Sequence, residues 1–207
     1  MKTQEKKQKR IQRTGKKVED DSLSYMVEVR DKEGRVLQRI SAPSRSYVQQ
    51  WNQLINYQCS KIAKTVKDTG GIDRNTDSDA IIFQSNAGIG VVTFGIRIGK
   101  GTTAVAITDY ALESPCGEGT GADEFNHQLV EFTAPSVIGP TCSFTITRTM
   151  IDNSGAAIAD IKEIGCYCKF SDGSERYALA FRDVLPSALS IPDGGSITVT
   201  YTIAVTV

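Results

Sequence analysis

Few residues in this sequence have the types and spacing that chemistry needs. Gly88-Ile89-Gly90-Val91-Val92-Thr93 begins like a dinucleotide-binding fingerprint. It lacks the third glycine, and a strand pattern follows where a helix must receive the pyrophosphate, so no nucleotide cofactor is expected. Gly99-Lys100-Gly101-Thr102-Thr103 has the composition of a phosphate loop. There the lysine must directly precede the Ser/Thr, but Gly101 separates Lys100 from Thr102 and Gly95 stands one residue too close, so a hairpin-like turn is expected. Cys166-Tyr167-Cys168 spaces its thiols too tightly for a zinc site, even with Cys142 and His127 as further ligands. Glu113, Glu118, Asp123 and Glu124 gather in a Gly-rich stretch. Without the regular ligand spacing of a calcium loop they read as an exposed acidic loop. His127 is the sole imidazole and reads as an ordinary residue at the start of a strand. No base held by a third group can be assembled around it, and no facing carboxylate pair stands out for glycoside hydrolysis. No catalytic, metal-ligating or cofactor-binding residue is therefore assigned, and the chain reads as non-enzymatic.

The remaining chemical signal is charge. Lys+Arg and Asp+Glu number 24 each, so the net charge is zero, but residues 1–17 hold eight basic residues and one acid. A basic arm of +7 thus precedes an acidic body of −7. Lys6, Lys7, Lys9, Arg10, Arg13, Lys16 and Lys17 are the arm's candidate contacts, with either an acidic protein surface or nucleic acid phosphates. No aromatic residues interleave with them, so base stacking is not expected. Residues 1–22 carry too few apolar side chains to offset the entropy of ordering and read as disordered.

These residues must be positioned by the elements that follow. Tyr25, Val27 and Val29 alternate with polar neighbours, Asp31-Lys32-Glu33-Gly34 makes a turn, and Val36, Leu37 and Ile40 return, which predicts a hairpin over 23–41. Helical spacing over 44–67 places Tyr47, Val48, Trp51, Leu54, Ile55, Cys59, Ile62 and Val66 on one stripe. Ser44 or Ser46 can cap that helix and Thr69-Gly70-Gly71 can end it. Residues 72–79 form a polar loop. Strands are expected at 80–85, 91–98, 127–134, 142–151, 157–170, 175–183 and 196–207. Along the last, Thr198, Thr200, Thr202, Ala204 and Thr206 alternate with Val199, Tyr201, Ile203, Val205 and Val207, which marks one wet and one buried face.

The expected fold is mainly β: an antiparallel β-sandwich, jelly-roll or Ig-like, with one N-terminal amphipathic helix and the basic arm. The expected division is a disordered arm at 1–22, a hairpin and helix at 23–79 packed on or next to the body, and the sandwich body at 80–207. No run of 18 apolar residues is present, so no membrane span is expected. Five cysteines is an odd number for a disulfide framework. They are expected reduced, as small core residues, with Cys166 and Cys168 facing opposite sides of a strand.

Several segments resemble a pattern of tailed-bacteriophage virion proteins. Thr147-Arg148-Thr149-Met150-Ile151-Asp152-Asn153-Ser154-Gly155 and Ile161-Lys162-Glu163-Ile164-Gly165-Cys166-Tyr167 are similar to two strands of that pattern joined by a tight turn. Cys166 stands where the pattern has leucine. Tyr177 to Leu185, Ile191 to Tyr201, Gly99 to Val105 and Thr108 to Leu112 are similar to further stretches, so the resemblance covers about 80–207. It implies a structural subunit of the virion, assembled in the host cytoplasm, present in several copies near the neck, tail, collar or fibres. The implied partners are other virion proteins, further copies of the chain and, through the basic arm, packaged DNA. Alternatives are a receptor- or carbohydrate-binding module of a phage fibre and a capsid decoration protein. The resemblance implies no catalytic residues.

Overall fold

The computed structural model describes residues 22–60, 62–76 and 83–206. The basic arm, with Lys6, Lys7, Lys9, Arg10, Arg13, Lys16 and Lys17, lies outside them, as do 77–82 and Val207. The described residues are mainly β with one helix. In order they form β1 (Leu23–Arg30), β2 (Val36–Pro43), α1 (Gln49–Ser60), β3 (Thr65–Lys67), β4 (Asp73–Asn75), β5 (Gly95–Gly99) and β6 (Gly117–Glu118). Then follow β7 (Glu124–Phe132), β8 (Ser136–Ile138), β9 (Thr141–Ile151), β10 (Ile158–Ser171), β11 (Glu175–Ile191) and β12 (Ser196–Thr206). The large sheet runs β2-β1-β12-β9-β7-β6, with β8 also beside β9. A second sheet runs β11-β10-β5, and β3 and β4 pair alone.

The alternation read along 196–206 has a direct structural counterpart. Ile197, Val199 and Tyr201 of β12 are buried, as are Met150, Arg148 and Ile146 opposite them on β9 and Val29, Val27 and Tyr25 on β1. On the other face Thr198 pairs with Thr149 and Thr200 with Thr147, their hydroxyls 2.8 and 3.1 Å apart. Period two thus puts methyl-rich side chains on one core and a ladder of threonines opposite. The second sheet faces the same core. The Phe181 ring on β11 meets the Tyr201 ring at 4.6 Å, edge to face. Both faces of β10 are covered, so it reads as an almost unbroken buried run from Glu163 to Cys168.

The first hairpin is part of the large sheet. All eight residues of β1 pair with β12, from Leu23 with Ile203 to Arg30 with Ser196. The Asp31 turn forms as its sequence dictates: Gly34 N donates to Asp31 O and the Asp31 carboxylate accepts from Glu33 N and Arg35 N.

The helix is shorter than the apolar spacing predicts. It begins at Gln49, just after the buried Val48, and its buried face is Gln50, Leu54 and Tyr57 with Trp51 half-buried, while Ile55 and Ile62 are exposed. Val66 is buried on β3, not on a helix. Thr69-Gly70-Gly71 is the β3–β4 turn: the Asp68 carboxylate accepts from Gly70 N and Ile72 N, and Gly71 takes φ +77°. β-branched Thr65 and Val66 next to an Asp–Gly turn favour a hairpin over another helical turn. Ser44 and Ser46 do not cap α1, because both hydroxyls turn inward to Asp183.

Cys166 and Cys168 do not face opposite sides. Residues two apart share a strand face, and both lie in the main core while Tyr167 points into a second cluster with Val48, Leu112 and Leu179. Cys116, Cys142, Cys166 and Cys168 carry free thiols, and the side chain of Cys59 lies outside the described residues. Burial pushes the thiols of Cys116 and Cys166 up to about 11 and about 12 and Cys168 higher still, so these three stay protonated and inert at neutral pH. No helix among the described residues is long and apolar enough to cross a membrane.

Candidate functional site

The densest group of charges is built on β10 and β11. Arg182 and Glu163 are both buried, on neighbouring strands whose register pairs Glu163 with Val184 and Gly165 with Arg182. Gly165 leaves the space: a Cβ there would stand 2.8 Å from Leu112 and 2.9 Å from Phe181 O. Arg182 Nε donates to Glu163 Oε1 at 2.5 Å, Nη1 to Asp109 Oδ2 at 2.9 Å and Nη2 to Thr103 O at 3.1 Å. Glu113 Oε2 stands 3.6 Å from Nη2. Burial alone would pull the guanidinium down, but Glu163 and Asp109 more than offset it and hold Arg182 above its ordinary value.

The loop that resembles a phosphate loop lies over this group. Glu163 Oε2 accepts from Gly101 N at 3.3 Å and Ser114 N at 3.2 Å, while Oε1 accepts from Glu113 N at 2.7 Å. Thr102 N, Thr103 N and the Thr103 hydroxyl donate to Glu113. Those hydrogen bonds hold the Glu113 carboxyl below its usual range. A Cβ on Gly99 or Gly101 would come within 2.7 and 2.6 Å of Glu163 Oε2, so both glycines are required by close approach. The expected turn at Gly99-Lys100-Gly101-Thr102-Thr103 is thus an anion nest whose anions are the chain's own carboxylates. A shallow cavity of about 410 Å³, lined by Asp109, Tyr110, Glu113 and Arg182 among others, opens beside it.

The acidic stretch does not converge on one point. Glu118 accepts from the backbone and ring of His127, Asp123 pairs with Lys100 at 2.5 Å, and Glu124 accepts from Gly121 N. No grouping of three or more metal-ligating side chains occurs among the described residues. Cys166 and Cys168 are buried while Cys142 is exposed.

His127 is fully buried within β7, not an ordinary residue at a strand entry. Nδ1 lies 2.7 Å from Glu118 Oε2 and 3.0 Å from Phe125 O. Two acceptors require that Nδ1 carry the proton, which leaves Nε2 a bare, buried acceptor. Burial, then the charge of Arg148, depress the imidazole to about 4 against the pull of Glu118, so the ring is neutral at pH 7. Arg148 has no carboxylate partner among the described residues. Its guanidinium donates to the carbonyls of Gln128, Ile96, Gly88 and Val91, at 2.7–3.1 Å. It thereby fastens the segment before β5, and β5 itself, to the large sheet. Burial depresses Arg148 to about 10, so it still holds its charge. Arg97, also buried, donates in the same way to Val92 O and Cys116 O. The Gly88-Ile89-Gly90 segment therefore receives an arginine through its carbonyls, where a nucleotide loop would offer N–H groups.

A third buried group joins the two sheets. The Asp183 carboxylate accepts from Ser44 Oγ and Ser46 Oγ, each at 2.9 Å, and from Tyr201 OH at 3.0 Å. Burial raises its pKa, against the hydroxyl donors.

Asp109, Glu163, Arg182, Asp183, Arg97 and Arg148 are not legible as site residues in the sequence. The available signal is a charge inside an otherwise apolar strand, as in Ile161-Lys162-Glu163-Ile164 and Ala180-Phe181-Arg182-Asp183. Such charges are buried only when partnered. What these groups do is hold structure: their hydrogen bonds go to one another, to backbone and to the Ser44, Ser46 and Tyr201 hydroxyls, with Arg97 Nε buried and unpartnered. No known protein family, no curated protein and no solved structure matches this chain.

Proposed function

We propose that this chain is a non-enzymatic structural subunit of a tailed-phage virion, an antiparallel β-sandwich assembled in several copies near the neck, tail or fibres. The observation that carries the reading is the use made of buried charge. Arg182, Glu163, Arg148 and Asp183 each bond to loops or to a facing strand, which suits a rigid building block. The resemblance over 80–207 supplies the setting, and its residues have architectural uses here. Thr147 and Thr149 line the threonine ladder, and Arg148 clamps the core. Asp152 accepts from Ser154 N and Ile158 N to close the β9–β10 turn. Trp51, the one tryptophan, packs among Tyr47, Phe83 and Phe181, which disfavours its use as a sugar platform in a receptor-binding module.

In this reading the basic arm docks on neighbouring virion proteins or packaged DNA, and the finished protein resides in the particle after assembly in the host cytoplasm. The test is protein identification in purified particles, followed by labelling with an antibody against residues 80–207. The expected result is the chain at several copies per particle, at one defined position. Its absence from purified particles overturns the proposal.

A further inference from the structure

The buried face of the large sheet extends past its own cover. Along this face the cross-strand rows are Ile197–Met150, Val199–Arg148 and Tyr201–Ile146, all buried, and then Ile203–Phe144, half-buried. The next row is Val205–Cys142, continued onto β8 by Val137. Side chains directly opposite in an antiparallel sheet share a face, so Val137, Cys142 and Val205 continue the core. Yet Val205 is 68% and Val137 73% exposed, and Cys142 is exposed too. Phe132, opposite Ile146, adds a ring at 45% exposure. A core face that runs on uncovered is the signature of an association surface.

We infer that this Val137–Cys142–Val205 row is a self-association surface, and that its occupant is the same row of a second copy. Three observations favour that occupant. The row reads Val–Cys–Val, so a two-fold axis through Cys142 sets Val137 against Val205 of the other copy, the self-complementarity an isologous contact needs. The row itself and the Ile203–Phe144 row before it on the same face carry no charged side chain, so nothing along this face repels an identical surface. Ser22, the residue that follows the arm in sequence, also sits at this end, where its carbonyl accepts from Ala204 N. But the 21 residues before Ser22 offer only Met1, Ile11 and Val18 as apolar side chains, too little to cover the row. The inference rests on the multi-copy reading above and gives it a surface.

The test uses the full chain. Sedimentation over a concentration series, with mild copper-phenanthroline oxidation, is compared for wild type, Cys142→Ser, the double variant Val137→Asp/Val205→Asp, and Ile138→Asp. Ile138 is 79% exposed on the opposite, threonine face, so its variant controls for added charge on the same strand. The expected result is a wild-type oligomer that crosslinks through Cys142, an at least tenfold weaker association for the double variant, and wild-type behaviour for Ile138→Asp. Circular dichroism melting verifies that each variant folds. If the double variant associates as wild type does and oxidation yields no Cys142 crosslink, this surface is wrong while the multi-copy reading stands. If every form stays monomeric at all concentrations, both fail. If deleting residues 2–17 speeds maleimide labelling of Cys142 in the dilute monomer, the arm is the occupant and the second-copy assignment is overturned.

Discussion

Arg148 illustrates how a charge can be structural in this chain. Four backbone carbonyls take up its guanidinium in place of a carboxylate. Arg148→Met keeps most of the volume but removes the donor from those carbonyls, of which Gly88 O keeps another, from Val91 N, so a loss of about 3 kcal/mol is expected in denaturant unfolding, since an unsatisfied buried acceptor is costly. Arg148→Lys should recover little, because an ammonium cannot reproduce the planar fork. A loss below about 0.5 kcal/mol would place Arg148 among ordinary surface substitutions. His127 gives a prediction of pH dependence. Its folded pKa of about 4 lies below the ordinary 6.5, so between these values the unfolded chain binds more protons and stability falls as pH falls. The contribution is present above pH 6.5 and lost on the way to pH 4, and its upper bound is on the order of 3 kcal/mol. His127→Gln should flatten the pH dependence of the melting temperature in that window. An unchanged slope would mean that the imidazole protonates in place. Neither role is written at these positions alone: the carbonyls that hold Arg148 lie 20 to 60 residues away in sequence, and the imidazole of His127 is set by burial and by Arg148 on the neighbouring strand as well as by nearby Glu118.

Among the elements, turns and strands with one wet face are the legible part. Asp31-Lys32-Glu33-Gly34 carries its own turn chemistry, and 196–206 carries its own alternation, so local residues decide both. Apolar spacing overstates the helix because tertiary contacts create the apparent stripe: Tyr47 and Val48 bury as bridging segments and Val66 as a strand. The register of β10 against β11 is not legible, since it shifts at Ile158/Ile161, Ile161/Glu163 and Cys166/Tyr167. Those irregularities decide which charges meet. Gly99 tests the resulting nest. A Cβ there would stand 2.5 Å from Ser114 O, a backbone atom that cannot swing aside, whereas Gly88 has nothing within 4 Å. Gly99→Ala is expected to cost about 1–3 kcal/mol as overpacking, and Gly88→Ala to leave the melting curve near wild type. Equal effects at the two sites would show that the Glu163 cradle has room to spare.

For the whole molecule, the arm and the body are separable predictions. Because β1 begins at Leu23, deleting residues 2–17 should leave stability within about 0.5 kcal/mol of wild type, while incorporation into particles fails. Normal incorporation of the truncated chain would remove the arm from assembly. If the arm instead holds packaged DNA, the truncation should also reduce the log–log salt slope of duplex binding by close to one for each phosphate it no longer neutralises. The hairpin, expected to pack on or next to the body, is hydrogen-bonded into the large sheet: β1 lies between β2 and β12, and β12 joins it to β9. This has a consequence for birth on the ribosome. The β1–β2 hairpin is made well before the strand that closes its other edge, which follows roughly 170 residues later. At about 5–20 residues per second, Tyr25, Val27 and Val29 wait roughly 10–40 s for Tyr201, Val199 and Ile197. During that interval the nascent chain carries an open edge, so chaperone demand should fall on the unfinished chain, and stops that remove β12 should pellet as aggregate on centrifugation while truncations confined to residues 2–17, which spare β1, stay in the supernatant.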